Sequence, residues 1–406
     1  MIRTFKEVLV LPVIVIAMGY FVDIYDLVIF GVVRVKSLTD LGLAPNEVME
    51  WGTNILNAQM FGMLIGGILW GILGDKKGRL SVLFASIIMY SVANVLNAYI
   101  TSVEQYAFLR FIAGIGLAGE LGVGVTLISE ILPKELRGYG IMMVSAIGVL
   151  GVVVANIVAT YFNWQNAYIF GGILGFALLL LRFKVRESEM FVHHVSDDVK
   201  RGDFIWLFKR KDLFVKYIKA ILIGVPIWYI VGILVIFSPE FAKELSIIGE
   251  IKAGISLTYC YIGLSVGSLA SAMLSQKLQS RKKAYNIFLI LSVVTALFYF
   301  SLEGASANVF YFAIFFLGIF SGYWTLFITM GAEQFGTNIR ATVATTVPNF
   351  VRGSLIPVTS SFMLLKGPLG ILGSAVVVGI VVFALGFVML YCTRETFHED
   401  LDYIEV

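Results

Sequence analysis

Five ionisable residues stand inside stretches that are otherwise apolar: Asp23 and Asp26, Arg110 and Glu120, and Arg352. In hydrocarbon each would cost at least a few kcal/mol unless paired or hydrated, so each has a use to be accounted for. Asp23 and Asp26 are three residues apart and share a helix face. Two neighbouring carboxylates in a low dielectric repel, and at least one is expected to hold a proton at neutral pH. Measured along a helix from the outer ends of the apolar runs, Arg110 lies about 8 Å deep, Asp26 about 10, Asp23 about 15 and Glu120 about 22. A carboxylate that pairs with Arg110 in one state and takes up a proton in another is what proton coupling requires, because proton and solute then bias one equilibrium. Asp26 is the favoured titrating group, with Asp23 and Glu120 beside it. The competing reading is a set of buried ion pairs that fix helix register.

Arg352 follows Arg340 by twelve residues, about 18 Å along a helix, which brings it near mid-membrane. Its partner is either a carboxylate from the first half of the chain or an anionic solute, and the planar guanidinium suits a carboxylate or phosphate by bidentate hydrogen bonding. Snorkelling into a water-filled cavity is the alternative. Asn349, in the same Asn349–Gly353 stretch, is grouped with it as a substrate-binding candidate. So are Trp228, Tyr229, Tyr323 and Trp324, which sit in mid-run where interface anchoring does not explain them, although helix packing does so equally well. No nucleophile–base or metal-ligand spacing occurs in an apolar run, and His193, His194 and His398 lie outside them. No catalytic residue, metal or cofactor is expected, and the chain is not read as an enzyme.

Of 406 residues 59% are hydrophobic and 14% charged, a balance no soluble domain shows. The solvent for most of this surface is lipid, and nucleic acid is not an expected partner. Apolar runs of about 20 residues recur throughout, at 8–33, 51–74, 80–101, 105–131, 139–162, 167–183, 217–240, 253–276, 284–302, 308–332, 341–365 and 370–393. The first carries Asp23 and Asp26 and lacks a small-residue cleavage site, so it is read as a retained span. Cys260 and Cys392 are far apart in apolar runs and imply no disulfide framework.

An even number of spans puts both termini on one side. Most of the 30 Lys and Arg fall on that side, so the termini are read as cytoplasmic in a multi-pass protein of the cell (inner) membrane. The one long polar interruption divides the chain into a six-helix bundle (1–183), a linker (184–216), a second six-helix bundle (217–393) and a cytoplasmic tail (394–406). Within the linker, Phe204–Phe208 beside Lys209–Lys211 reads as an amphipathic helix on an anionic membrane face. The Gly71–Arg79 turn after the second span has a counterpart in Leu274–Lys283 after the eighth, and Glu130–Arg137 is echoed by Glu333–Arg340. The fold class is therefore an all-α polytopic membrane protein of twelve transmembrane helices in two parallel six-helix halves.

Taken in order, Gly71–Arg79, Arg110–Gly114 with Gly119–Glu120, Glu130–Gly138, Arg186–Ser188, Glu333–Arg340 and Arg394–Thr396 resemble the major facilitator superfamily over essentially the whole chain. The resemblance is to the branch of sugar porters, metabolite-proton symporters and aromatic-acid symporters. Gln276, where the second-half turn often carries Asp, and the missing proline before Glu187 depart from that pattern. The resemblance implies a cytoplasmic gate. Gly71, Asp75, Gly78, Arg79, Glu130, Arg137 and Glu187 would form it in the first half, and Arg281, Glu333, Arg340 and Glu395 in the second, through ion pairs that break and reform as a bundle rocks. Solvated loop charges are the bland alternative.

These observations converge on a monomeric secondary transporter. The expected activity is proton-coupled symport of a small organic acid or related metabolite, by alternating access around a central cavity, with a small-molecule substrate, the proton and the lipid bilayer as partners. The rival functions are a proton-independent facilitator or exchanger of a sugar, amino acid or phosphate ester, and a non-transporting solute sensor.

Overall fold

The computed structural model describes residues 10–132, 134–182, 204, 206–335 and 337–397. The first helices are α1 (Leu11–Asp40), α2 (Pro45–Lys77), α3 (Arg79–Asn97), α4 (Val103–Leu117), α5 (Glu120–Ile131), α6 (Lys134–Tyr161) and α7 (Trp164–Arg182). One turn, α8 (Trp206–Lys209), precedes α9 (Lys211–Tyr229), which runs on into a π-helical stretch, Ile230–Val235. Then come α10 (Ser238–Glu244), α11 (Ala253–Leu278), α12 (Arg281–Phe300) and α13 (Ala307–Phe320). A 3-10 turn at Ser321–Tyr323 leads to α14 (Trp324–Glu333), followed by α15 (Thr337–Gly353) and α16 (Leu355–Tyr391).

Among the described residues nine stretches are long and apolar enough to cross a membrane. The longest, Thr342–Tyr391, holds the last two predicted spans. It is not one rod: Gly353 closes α15, and Gly370, with φ 68° and ψ 179°, breaks α16 where the sequence predicts a turn. The predicted span 105–131 is two helices that meet at Ala118–Gly119, and the predicted span 139–162 falls in α6, which starts earlier and ends one residue sooner, at Tyr161.

Local chemistry sets several boundaries. Ser102 caps α4 by accepting from the Gln105 amide at 3.3 Å. Gly78, at φ 93°, turns the chain between α2 and α3 with no other residue between them, a conformation that favours glycine. The end of α1 departs from the prediction, because the helix continues seven residues past 33. Arg34 does not mark an outer loop but is fully buried, over Gly52, where an added Cβ would lie 2.7 Å from the arginine Cδ.

By its contacts the chain divides into two compact units, one drawn from Met1–Lys209 and Gly336–Phe350, the other from Arg210–Phe335 and Val351–Asp402. Each contains helices brought to backbone contact by glycine. In the first, a Cβ at Gly114 of α4 would lie 2.1 Å from the Gln59 carbonyl of α2. In the second, a Cβ at Gly318 of α13 would lie 2.0 Å from the Cys260 carbonyl of α11. Small residues that let helices close to this distance are the usual means of packing in lipid, where no hydrophobic force drives helices together.

Of the predicted linker, residues 184–203 and 205 lie outside the described residues, while the predicted amphipathic stretch 204–211 is otherwise described. What is described is the single turn α8, with Phe204 and Leu207 buried and Phe204 against Phe350, ring centroids 6.1 Å apart. Helix α9 begins at Lys211, ahead of the predicted start at 217.

Candidate functional site

In the first unit the interior is built on two arginines. Arg110 projects from α4 and is fully buried. Its Nη1 and Nη2 donate to the same oxygen of Asp26 on α1, Oδ1, at 3.1 and 3.2 Å. Nη1 also reaches the Asp26 backbone carbonyl at 3.4 Å, and Nη2 donates to Oδ1 of Asn94, on α3, at 2.5 Å. The guanidinium carbon lies 5.0 Å from the centroid of the Tyr168 ring, on α7, a cation–π contact. Asp26 Oδ2 is buried with no hydrogen-bond partner. The pair is thus engaged through one carboxylate oxygen, with the other open.

A chain of hydroxyls stands behind this cluster. Tyr168 and Tyr106 share a hydrogen bond at 2.6 Å, and Tyr106 meets Ser37 at 3.3 Å. Asp23, one turn before Asp26, is also fully buried.

The second arginine, Arg182, ends α7 and holds Glu120. Its Nη1 and Nη2 donate to Oε1 and Oε2 at 3.1 and 2.5 Å, and Ser86 donates to Oε1 at 2.9 Å. Nη1 also reaches the Leu83 carbonyl at 2.8 Å. Here both carboxylate oxygens are satisfied. Glu120 also sits in the first turn of α5, where the helix dipole favours an anion. Gly19 of α1 lies over the pair, and a Cβ there would fall 2.4 Å from Arg182 Nη2. The sequence reading grouped Glu120 with Asp26 and Arg110 and counted Arg182 only among the basic residues on the cytoplasmic side. Arg182 is instead a buried ion-pair partner, 1% exposed.

The break between α4 and α5 frees backbone carbonyls that need donors. Trp70 Nε1 takes the Ile115 carbonyl at 2.6 Å, and Asn349 Nδ2 takes that of Ala118 at 3.0 Å. Asn349 Nδ2 also donates to Thr345 O at 2.9 Å, so the amide donors of this predicted substrate ligand are engaged by backbone.

The second unit has a different interior. Arg352, in the last turn of α15, is the one charged side chain there that is buried among the described residues. Tyr229 donates to the Ala375 carbonyl at 2.7 Å, Tyr285 to that of Ile223 at 2.8 Å and Tyr299 to that of Leu234 at 3.0 Å. These tyrosines tie helices together, and Tyr229 has its hydroxyl proton committed. Trp228 is buried with its indole N–H unpartnered. Tyr323 packs on Tyr285, ring centroids 4.5 Å apart, and Trp324 stacks on Phe327 at 5.2 Å. Both predicted aromatic pairs fall at helix irregularities. Trp228 and Tyr229 precede the π-helical stretch, and Tyr323 and Trp324 straddle the change from 3-10 to α geometry. Such irregularities are frequent at functional sites.

Of the predicted gate, Arg281 pairs with Glu333 at 3.2 Å, and Thr396 donates to the other Glu333 oxygen at 2.6 Å. Among the described residues no arginine forms an ion pair with Glu395. It caps α12, accepting from Ser280 and from the Arg281 and Lys282 amides, the last two at 2.9 and 3.3 Å. Burial works against its charge, but the bonds from Ser280 and from the Arg281, Phe397 and Thr396 amides prevail and hold its carboxyl below the usual value. Gly71 of α2 stands in ordinary contact with Thr346, at 3.6 Å from its would-be Cβ. The side chains of Asp75, Arg79, Glu130, Arg137 and Arg340, and all of Glu187, lie outside the described residues.

A sequence model of the Major Facilitator Superfamily matches residues 16–354. The chain is 32% identical over 178 residues to the niacin transporter NiaP of Acinetobacter baylyi, covering 43% of this chain and 40% of that protein. It is 26% identical over 300 residues to the sialic acid transporter NanX of Escherichia coli, 71% of each chain. Its fold matches a solved D-xylose-proton symporter with a TM-score of 0.72 at 16% identity, over 96% of this chain and 98% of that one.

Proposed function

This chain belongs to the major facilitator superfamily, and we propose that it is a proton-coupled symporter that carries a small organic acid by alternating access. Membership makes it a multi-pass membrane transporter and not an enzyme. The proton is argued from the contrast between the two buried carboxylates. Glu120 has both oxygens bonded, to a bidentate arginine and to Ser86. Asp26 meets Arg110 through Oδ1 alone and keeps Oδ2 open. A proton can therefore be accepted at Oδ2 before any bond to Arg110 is given up, which marks Asp26 as the coupling group and Glu120 as a structural one.

The organic acid is supported by two observations. Arg352 keeps a guanidinium buried in the second unit, and a carboxylate is the solute best matched to its fork of donors. Relatives named for niacin and sialic acid, both carboxylates, point the same way. Trp228, with a free indole N–H, is the further group assigned to the solute. We place both termini in the cytoplasm, on the side that carries most of the basic residues, with Arg281, Glu333 and Glu395 at that face as the second-half gate.

The deciding experiment is uptake in proteoliposomes with and without an imposed pH gradient, for the unaltered protein and for Asp26→Asn. The expected result is gradient-driven uptake that Asp26→Asn abolishes while solute counterflow continues. Gradient-driven uptake that survives in Asp26→Asn would remove the assignment. Uptake indifferent to the gradient in the unaltered protein would leave a facilitator.

A further inference from the structure

When Asp26 takes up a proton, Arg110 loses its counter-ion while staying buried, and an uncompensated buried charge is very costly. Something neutral must then hold the guanidinium. The shortest bond Arg110 makes is to neither Asp26 oxygen but to Asn94 Oδ1, at 2.5 Å. That acceptor does not change with proton uptake. Asn94 is fully buried on α3, with its oxygen committed to Arg110 and its amide also facing Asp26. Resting on the proton-coupled reading, we propose that Asn94 is a positioning residue that holds Arg110 in place while Asp26 takes up and releases its proton.

The surroundings leave this role to few other groups. Tyr168 of α7 offers Arg110 a ring face, and the Asp26 carbonyl accepts only at 3.4 Å. The ionisable groups around Asp26 are Arg110 and Tyr106 of α4, Tyr90 of α3, Tyr168 of α7, and Tyr25 and Asp23 of its own helix. Glu120 and Arg182 reach Tyr90 from the neighbouring pair. Helices α2 and α6 carry their ionisable residues, Glu47, Glu50, Asp75, Lys76 and Lys77 in one and Lys134, Glu135, Arg137, Tyr139 and Tyr161 in the other, in their end turns. A tyrosine could replace Asn94 only as a hydroxyl acceptor, and none is bonded to the guanidinium in this way.

The role predicts shifts of opposite sign. In Asn94→Asp a second anion faces Arg110, so Asp26 binds its proton more readily, and the pH at which gradient-driven uptake is half-maximal rises by about a unit or more. In Asn94→Leu the neutral acceptor is gone and with it the shortest bond to Arg110, a loss that outweighs the amide's reach toward Asp26, so the half-maximal pH falls. The measurement is the pH profile of uptake in proteoliposomes, with counterflow exchange at fixed pH reporting how much folded transporter each variant contains. Asn94→Ser, which keeps an oxygen acceptor, is expected between Asn94→Leu and the unaltered protein. A lower rate at every pH with an unmoved midpoint in both variants, or movement in the same direction, would overturn the role of Asn94 and leave the assignment of Asp26 standing. A flat pH profile in the unaltered protein would remove both.

Discussion

The two compact units are organised alike and filled differently. Each has two helices brought to backbone contact by glycine, at Gly114 in one and Gly318 in the other. Around that shared scaffold the first unit buries Asp23, Asp26, Arg34, Arg110, Glu120 and Arg182. Among the described residues the second buries Arg352 as its one charge and joins its helices through Tyr229, Tyr285 and Tyr299, each donating to a backbone carbonyl. Helix packing in lipid therefore leaves the polar interior free to specialise. One unit buries paired carboxylates and arginines, and the other buries Arg352 among tyrosines that tie its helices.

The most severe way to break this contrast is at Glu120. Glu120→Ala leaves Arg182 buried without its anion and is expected to cost about 3–5 kcal/mol, whereas replacing both partners, as Glu120→Leu with Arg182→Met, recovers most of it. Thermal unfolding in detergent measures this, and Asp26→Asn is expected to shift the transition far less because Arg110 keeps Asn94. Equal losses for Glu120→Ala and Asp26→Asn would erase the distinction between a structural and a coupling pair.

The shared scaffold is tested next. Gly114→Ala and Gly318→Ala each force a methyl against a backbone carbonyl and are expected to cost about 1–3 kcal/mol, to a similar extent in both units. A large loss in one unit only would mean that the two interiors are not built on a common frame.

Arg352→Lys keeps charge and loses the fork. The apparent KM for an acidic solute is expected to rise about tenfold, the worth of one charge-assisted hydrogen bond, and an unchanged KM would detach Arg352 from the solute.

The smallest effect concerns pH at the Glu395 cap. A carboxyl held below its usual value stabilises the folded state above that usual value, about 4.3 for glutamate, and loses the contribution as pH falls through the lower folded value. Glu395→Gln should therefore flatten a modest acid-side fall in unfolding temperature, with no change near neutrality in the direction of the pH profile of uptake.

Much of this was legible in the residues. Asp26 and Arg110 could be matched because each is a charge in an apolar run and their depths agree. The Gly71–Arg79 turn was readable from its clustered Asp, Lys, Gly and Arg and from its counterpart after the eighth span, although α2 runs on to Lys77 and leaves only Gly78 between the helices. Arg182 was misplaced because it closes a leucine-rich run, where topology alone would put a cytoplasmic base, and its contact with Glu120 spans 62 residues of sequence. Asn94 gave no signal, since a neutral amide in an apolar run is ordinary until an arginine is found against it. The division of the fourth predicted span at Ala118–Gly119 was hidden in a glycine-rich stretch that reads as close packing. Only the donors from Trp70 and Asn349 show that its backbone is open there.

Arg110 touches three helices besides its own: α1 through Asp26, α3 through Asn94 and α7 through the Tyr168 ring. Four rods pinned at a common point cannot slide past one another singly without dragging the pin. Local yielding at this level is opposed by three neighbours at once, so the four helices are held to one another here as a block.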